Sequence, residues 1–334
     1  METNMPDRYV RWGVISSANI GVRYVSPAIQ ASSNGRLVAV GSRDARHAAE
    51  FYAFAPGIHI YDSYDAVIDS PEIDAVYIPL PNSLHAEWAI RALQAGKHVL
   101  CEKPLAATLE DAKAIAAAAR EHNVLLMEAF MYRFHPQIVW ALEQVEAGLI
   151  GQVRLVRASF AFDIRARPEN IRLNAELAGG SLMDVGCYPV NLCRAVYGRS
   201  PLMASARVHT PKAGGVELAT NALLDFGNGG FALLDSSFEL PPRQMAEIMG
   251  ESGTITLPVP FTPGNSEVTV FVTKDGKLSE RSFARTDQYQ REVEHFADCI
   301  LTQREPALRI SETLENIATL EAIYQAAGHD WPLV

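Results

Sequence analysis

The chain has 334 residues, 48% of them hydrophobic, which is more than one core ordinarily serves, so two domains are expected. A formal net charge of -10 leaves no basic footprint for nucleic acid or for an anionic membrane surface, and partners are expected to be small molecules or other subunits. The polar residues 1–8 carry no signal-peptide core and no spanning segment is evident, so a cytoplasmic location is expected.

Apolar strands at 12–15, 37–40, 75–78, 99–101 and 124–127 alternate with helical stretches such as 84–95 and 108–121. That alternation predicts an α/β domain with a doubly wound parallel sheet. The first strand runs into Ser16-Ser17-Ala18-Asn19-Ile20-Gly21, which stands in the place of a Gly-x-Gly-x-x-Gly loop but keeps only its last glycine. Ser16 and Ala18 are small enough to admit a pyrophosphate, and a helix opening near Ile20 would turn free N–H groups toward it. An ordinary strand-to-helix turn would read the same way.

The second strand ends in Gly41-Ser42-Arg43-Asp44. An NAD enzyme places a carboxylate there for the ribose hydroxyls, whereas Arg43 beside Ser42 can pair with a 2′-phosphate, so NADP(H) is preferred. Asp44 leaves NAD(H) open. The strand ending at Ile78 leads into Pro79-Leu80-Pro81-Asn82-Ser83-Leu84-His85, where Asn82 or Ser83 can cap a helix and His85 can face a ribose or phosphate. The next strand runs into Glu102-Lys103-Pro104. An ammonium at the end of a parallel strand can hold a substrate oxygen or ease deprotonation of a hydroxyl, and a solvated loop lysine fits the same tripeptide. Glu102 reads as structural or as a ribose contact.

After about residue 151, β-rich runs at 153–162, 203–208, 221–226, 231–238 and 268–273 predict a mostly antiparallel sheet. Turn-forming residues at 225–230 and 274–277 predict hairpins. Phe160, Phe162 and Phe238 fit sheet packing. In Gly179-Gly180-Ser181-Leu182-Met183-Asp184-Val185-Gly186-Cys187-Tyr188-Pro189, Asp184 and Tyr188 are four apart, the spacing of one helix face. A carboxylate and a phenol aimed together suit proton transfer to a sugar oxygen, and a buried tyrosine satisfied by aspartate is the alternative. Two helices close the chain, 288–301 opened by Asp287 and 312–327 capped by Ser311 and ended by Gly328. Cys101, Cys187, Cys193 and Cys299 match no disulfide or zinc spacing and read as small buried hydrophobes, and no histidine cluster suggests a metal.

The loop 16–21, Pro81-Asn82 with His85, Glu102-Lys103-Pro104, Met131-Tyr132-Arg133-Phe134-His135-Pro136 and the stretch 179–188 together resemble the Gfo/Idh/MocA oxidoreductase family. The resemblance implies a dinucleotide-binding Rossmann domain over 1–129 and an α+β domain with a large, mostly antiparallel open sheet over 130–334. It further implies nicotinamide-dependent oxidation or reduction of sugars, polyols or diols, and a homodimer or homotetramer formed through the open sheet face. Tyr188 stands where many members have histidine, and the nucleotide loop lacks two glycines. Both departures are similar to the branch of dimeric dihydrodiol dehydrogenases and NADP-dependent D-xylose 1-dehydrogenases.

On this resemblance the cofactor contacts are Ser16, Ala18, Asn19, Ile20, Gly21, Ser42, Arg43, Pro81, Asn82, His85, Glu102 and Lys103. The substrate contacts are Lys103, Arg133, His135, Arg165, Asp184 and Tyr188. Tyr188 would exchange the hydroxyl proton, Lys103 would supply the assisting cation, and Asp184 would orient the sugar or Lys103. The rival readings are an NAD-dependent glycoside hydrolase that oxidises its substrate transiently, and a non-catalytic NADP-binding sensor.

Overall fold

The computed structural model describes residues 8–329, which divide into two compact units. The first holds six parallel strands: β1 (Val10–Ile15), β2 (Gly35–Gly41), β3 (His59–Tyr61), β4 (Ala75–Ile78), β5 (His98–Glu102) and β6 (Leu126–Ala129). Their order is β3-β2-β1-β4-β5-β6. β4 and β6 are buried along their whole length, as parallel strands covered on both faces must be. The connecting helices are α1 (Ser26–Ala31), α2 (Ala45–Phe51), α3 (Tyr64–Ile68), α4 (His85–Gln94) and α5 (Leu109–Glu121). Strand order reverses between β1 and β4, which opens a crevice at their carboxyl ends, where Ser16 and Pro79 emerge.

The second unit contains α6 (Pro136–Glu146), α7 (Cys187–Tyr197) and eight strands: β7 (Val153–Ala161), β8 (Met203–His209), β9 (Ala219–Gly227), β10 (Gly230–Ser237), β11 (Arg243–Gly250), β12 (Gly253–Leu257), β13 (Val268–Lys274) and β14 (Lys277–Phe283). They form one sheet in the order β14-β13-β12-β11-β7-β10-β9-β8, antiparallel except where β7 meets β10. α7 packs on β7 and β10, so Ala158, Ala232 and Leu234 are buried. The opposite face alternates outward, with Leu223 and Leu233 paired across β9 and β10 and each 41% exposed. The expected hairpins form, with Asn228 and Gly229 in one turn and Asp275 and Gly276 in the other all at positive φ.

α8 (Gln288–Thr302) belongs to the first unit, together with the rest of residues 287–314, so a single break after residue 129 does not describe the chain. Its apolar stripe explains this: Val293, Phe296 and Ala297 are buried, and Phe296 meets Trp12 of β1 at 6.0 Å between ring centroids. Asp287 caps α8 as expected, accepting from the Tyr289 and Gln290 N–H groups. α9 (Ile310–Ala327) starts before Ser311, which lies inside the first turn and is not the cap that the sequence suggested. Among the described residues, no helix is long and apolar enough to cross a membrane.

Candidate active site

At the carboxyl end of β1 the backbone of Ser16 takes φ 106°, a conformation that glycine adopts freely and serine rarely does. Its hydroxyl accepts from Ala18 N–H at 2.9 Å, tightening the turn before a helix that opens with a π-helical turn at Gly21–Val25. A Cβ on Gly21 would come within 3.3 Å of Pro79, so glycine keeps this helix close to the exit of β4. The loop therefore has the small, sharply turned backbone that a pyrophosphate requires, without its first two glycines. At the end of β2, Ser42 is buried with its hydroxyl 3.3 Å from that of Ser17. The Asp44 carboxylate accepts from His47 N–H at 3.0 Å and caps α2, while the Arg43 side chain is exposed.

Lys103 follows the last residue of β5 and is half-buried, and its peptide bond to Pro104 is cis. Two buried side chains hold the turn behind it. His85 is fully buried, with Nδ1 2.9 Å from the Pro104 carbonyl and Nε2 2.8 Å from the Leu80 carbonyl. Glu128 of β6 accepts from Leu105 N–H at 2.9 Å. His85, expected to face a ribose or phosphate, is fully buried with both ring nitrogens beside backbone carbonyls; the neutral ring donates to one of them, and burial holds the imidazole below its usual range. The residue at the cap position of α4 is Leu84 and neither Asn82 nor Ser83, because the chain enters that helix through a 3₁₀ turn at Asn82–Leu84 that follows Pro81. Glu102 accepts from the buried Tyr77 hydroxyl at 2.5 Å, which fits its structural reading. Glu292 of α8 is buried with neither carboxyl oxygen hydrogen-bonded among the described residues, and burial, reinforced by the charge of Glu102, pushes it well above the usual carboxylate range.

In the second unit, a π-helical turn at Leu182–Gly186 carries Asp184 and leads straight into α7, which carries Tyr188 in its first turn. Gly179 and Gly180 permit the tight approach to this turn: a Cβ on Gly179 would lie 2.4 Å from the Arg172 carbonyl oxygen, and Gly180 has φ 112°. Arg172 donates from Nε to Asp184 at 2.6 Å. Tyr188 is 5% exposed and ringed by Tyr132, Phe160 and Phe261 at 5.6, 5.4 and 5.6 Å between centroids. Phe160, assigned from sequence to sheet packing alone, also walls this phenol.

The remaining expected contacts have other partners. Arg133 donates to the Asn191 side-chain oxygen at 3.1 Å, and the same oxygen accepts from the Tyr132 hydroxyl at 2.6 Å. His135, expected as a pocket residue, is fully buried and caps α6, its Nδ1 accepting from Gln137 N–H at 3.3 Å. Arg165 is exposed and folded back on Asp163 at 2.7 Å, the solvated pair that its loop position allowed. Arg172 stands in Asn170-Ile171-Arg172-Leu173, a stretch that also resembles the dihydrodiol and xylose dehydrogenase branch, but its pairing with Asp184 and the role of Asn191 escaped the sequence reading, since each is recognised only by its partner in space.

Residues 10–130 match the family model described as oxidoreductase family, NAD-binding Rossmann fold, and residues 138–256 match the GFO/IDH/MocA C-terminal domain. The chain belongs to the Gfo/Idh/MocA oxidoreductase family. Among the relatives of this Gfo/Idh/MocA oxidoreductase is a D-xylose 1-dehydrogenase (NADP(+)) from Haloferax volcanii, 38% identical over 95% of this chain and 97% of the relative. A trans-1,2-dihydrobenzene-1,2-diol dehydrogenase from Xenopus laevis is 30% identical over 94% of this chain and 97% of that one. A 3-ketoreductase from Actinomadura kijaniata, solved with NADP and TDP-benzene, superposes with a TM-score of 0.90 at 31% identity, covering 96% of this chain and 98% of that one. The Gfo/Idh/MocA assignment makes residues 10–130 the NAD-binding Rossmann domain of an NAD(P)-binding oxidoreductase.

Proposed function

We propose that this oxidoreductase moves a hydride between NADP(H) and a CH–OH carbon of a sugar or related diol, with Tyr188 as the acid/base and Lys103 as the assisting cation. The observation that carries the reading is the Asp184–Tyr188 pair: a phenol walled by three aromatic rings, one helical turn from a carboxylate that Arg172 holds in place. The aromatic wall excludes water from the phenol, and Tyr188 passes the substrate hydroxyl proton on or returns it. Lys103, which precedes the Pro104-Leu105 turn held by the buried His85 and Glu128, is the cation that the reading assigns to the reacting oxygen. Arg172 orients Asp184 for a second sugar hydroxyl. Bound nicotinamide supplies the hydride acceptor or donor. Preference for the phosphorylated dinucleotide rests on the exposed Arg43 and on the engagement of Asp44 as a helix cap. The NADP-linked names of the xylose dehydrogenase and the solved 3-ketoreductase support both the cofactor and the substrate class.

The reading includes a homo-oligomer built on the open face of the eight-stranded sheet, where Leu223 and Leu233 lie exposed side by side. The direct test of the activity is absorbance at the NADPH band with D-xylose, other aldoses, keto-sugars and a trans-dihydrodiol, each with NADP(H) and NAD(H). Turnover with at least one of them, faster with NADP(H), is the expected result. A flat trace with all of them would sink the reading.

A further inference from the structure

Glu217 lies between β8 and β9 and is fully buried, yet it belongs to no sequence motif and to no contact considered above. Its backbone carbonyl accepts from Ser181 N–H at 3.0 Å, and its carboxylate Oε1 accepts from Leu182 N–H at 2.7 Å. Leu182 opens the helical run that holds Asp184 and, one turn on, Tyr188. Oε2 presses against Gly180, where a Cβ would stand 2.5 Å from it, and the Tyr324 hydroxyl of α9 also reaches the carboxylate. The Ser181 hydroxyl, 3.1 Å from that of Ser236, closes the site from the β10 side. A carboxylate here meets an unpaired N–H at the positive end of a helix, which favours its charge, inside a cavity that excludes water, which opposes it.

We infer that Glu217 is a positioning residue, whose carboxylate sets where Asp184 and Tyr188 stand through its hold on Leu182. The inference rests on the proton-transfer reading of Tyr188. It adds a consequence that reading lacks: burial raises the Glu217 carboxyl to about 7, so the hold changes strength across neutral pH. As the anion, Glu217 accepts a charge-assisted hydrogen bond from Leu182, and as the neutral acid it keeps a weaker one. The titratable group facing it is the Tyr324 hydroxyl of α9, with the Cys187 thiol next beyond Tyr324, and burial pushes Tyr324 well above the range in which Glu217 titrates. Ser181 and Ser236 carry no charge at any working pH. Charge in this site therefore changes near neutrality at Glu217.

Fluorine NMR of the full-length protein carrying 3-fluorotyrosine tests this without a known substrate. The Tyr188 resonance is assigned by its disappearance in Tyr188→Phe. In the unsubstituted protein that resonance should show a step with a midpoint about pH 7, and in Glu217→Gln, which keeps the acceptor oxygen and loses the titration, that step should vanish while the separate change from the phenol's own ionisation remains. A shift near neutrality that survives Glu217→Gln, or no such shift in the unsubstituted protein, overturns the inference. Its failure is distinct from failure of the acid/base reading, which is judged by turnover of Tyr188→Phe and leaves the fluorine titration unaffected.

Discussion

Arg43 and Asp44 are neighbours just past the end of β2 but are used differently, and the proposed preference for NADP(H) rests on that difference. Asp44 is spent on the first turn of α2, where its carboxylate satisfies a backbone N–H, so the acidic residue that would repel a 2′-phosphate is turned to structure. Arg43 keeps its guanidinium in solvent. Arg43→Ala should weaken NADP+ binding by about 10-fold or more while changing NAD+ binding little, since loss of a charge-assisted contact costs about 1.5–3 kcal/mol. Titration calorimetry with each dinucleotide reads this, and equal losses for both would show that Arg43 does not select the phosphate. Residues of this kind were legible because they sit in short linear motifs at strand ends. Glu217 was not, nor was the partner of Arg172: Leu182 and Asp184 lie 35 and 12 positions from them, and no local pattern marks a side chain that holds a distant backbone or carboxylate. His85 misled for the related reason that a histidine near a nucleotide loop looks like a ligand until the fold buries it with both nitrogens beside backbone carbonyls.

The elements with strong periodicity were legible, and the short or polar ones were not. β1, β4 and β5 are apolar runs that nothing but a covered parallel sheet explains, whereas β3 has three residues and α3 has five. β14 reads Lys-Leu-Ser-Glu-Arg-Ser-Phe and is exposed at all but its last position, so no alternation announces it. α8 was recognised as a helix but assigned to the wrong unit, because amphipathicity shows that a face must be covered and not what covers it. Its place beside β1 gives a test: Phe296→Ala removes a fully buried ring from Trp12 and should cost about 3–5 kcal/mol. Chemical denaturation should show the loss, and a cost below about 1 kcal/mol would mean that α8 contributes little to the first unit. The two π-helical turns, at Gly21–Val25 and Leu182–Gly186, were equally invisible in the sequence. Each stands at the start of a helix that follows a candidate functional loop, in keeping with the frequency of such turns at working sites.

At the scale of the whole molecule, the chain carries its dinucleotide loop and strand-end lysine in one unit and its phenol and carboxylate in another. Family membership and the doubly wound parallel sheet were within reach of the sequence, because motifs from both units occur in one chain. The open sheet face invites association. Leu233→Lys at its exposed centre should shift the protein toward smaller species in sedimentation velocity without altering the far-ultraviolet circular dichroism, and an unchanged distribution would remove that face from the assembly. The most direct measurement of the central claim is turnover of Tyr188→Phe, with NADP+ affinity measured alongside. Loss of an acid/base group predicts turnover lower by about 10²–10⁴ with dinucleotide affinity unchanged. Turnover equal to that of the unsubstituted protein would contradict the account.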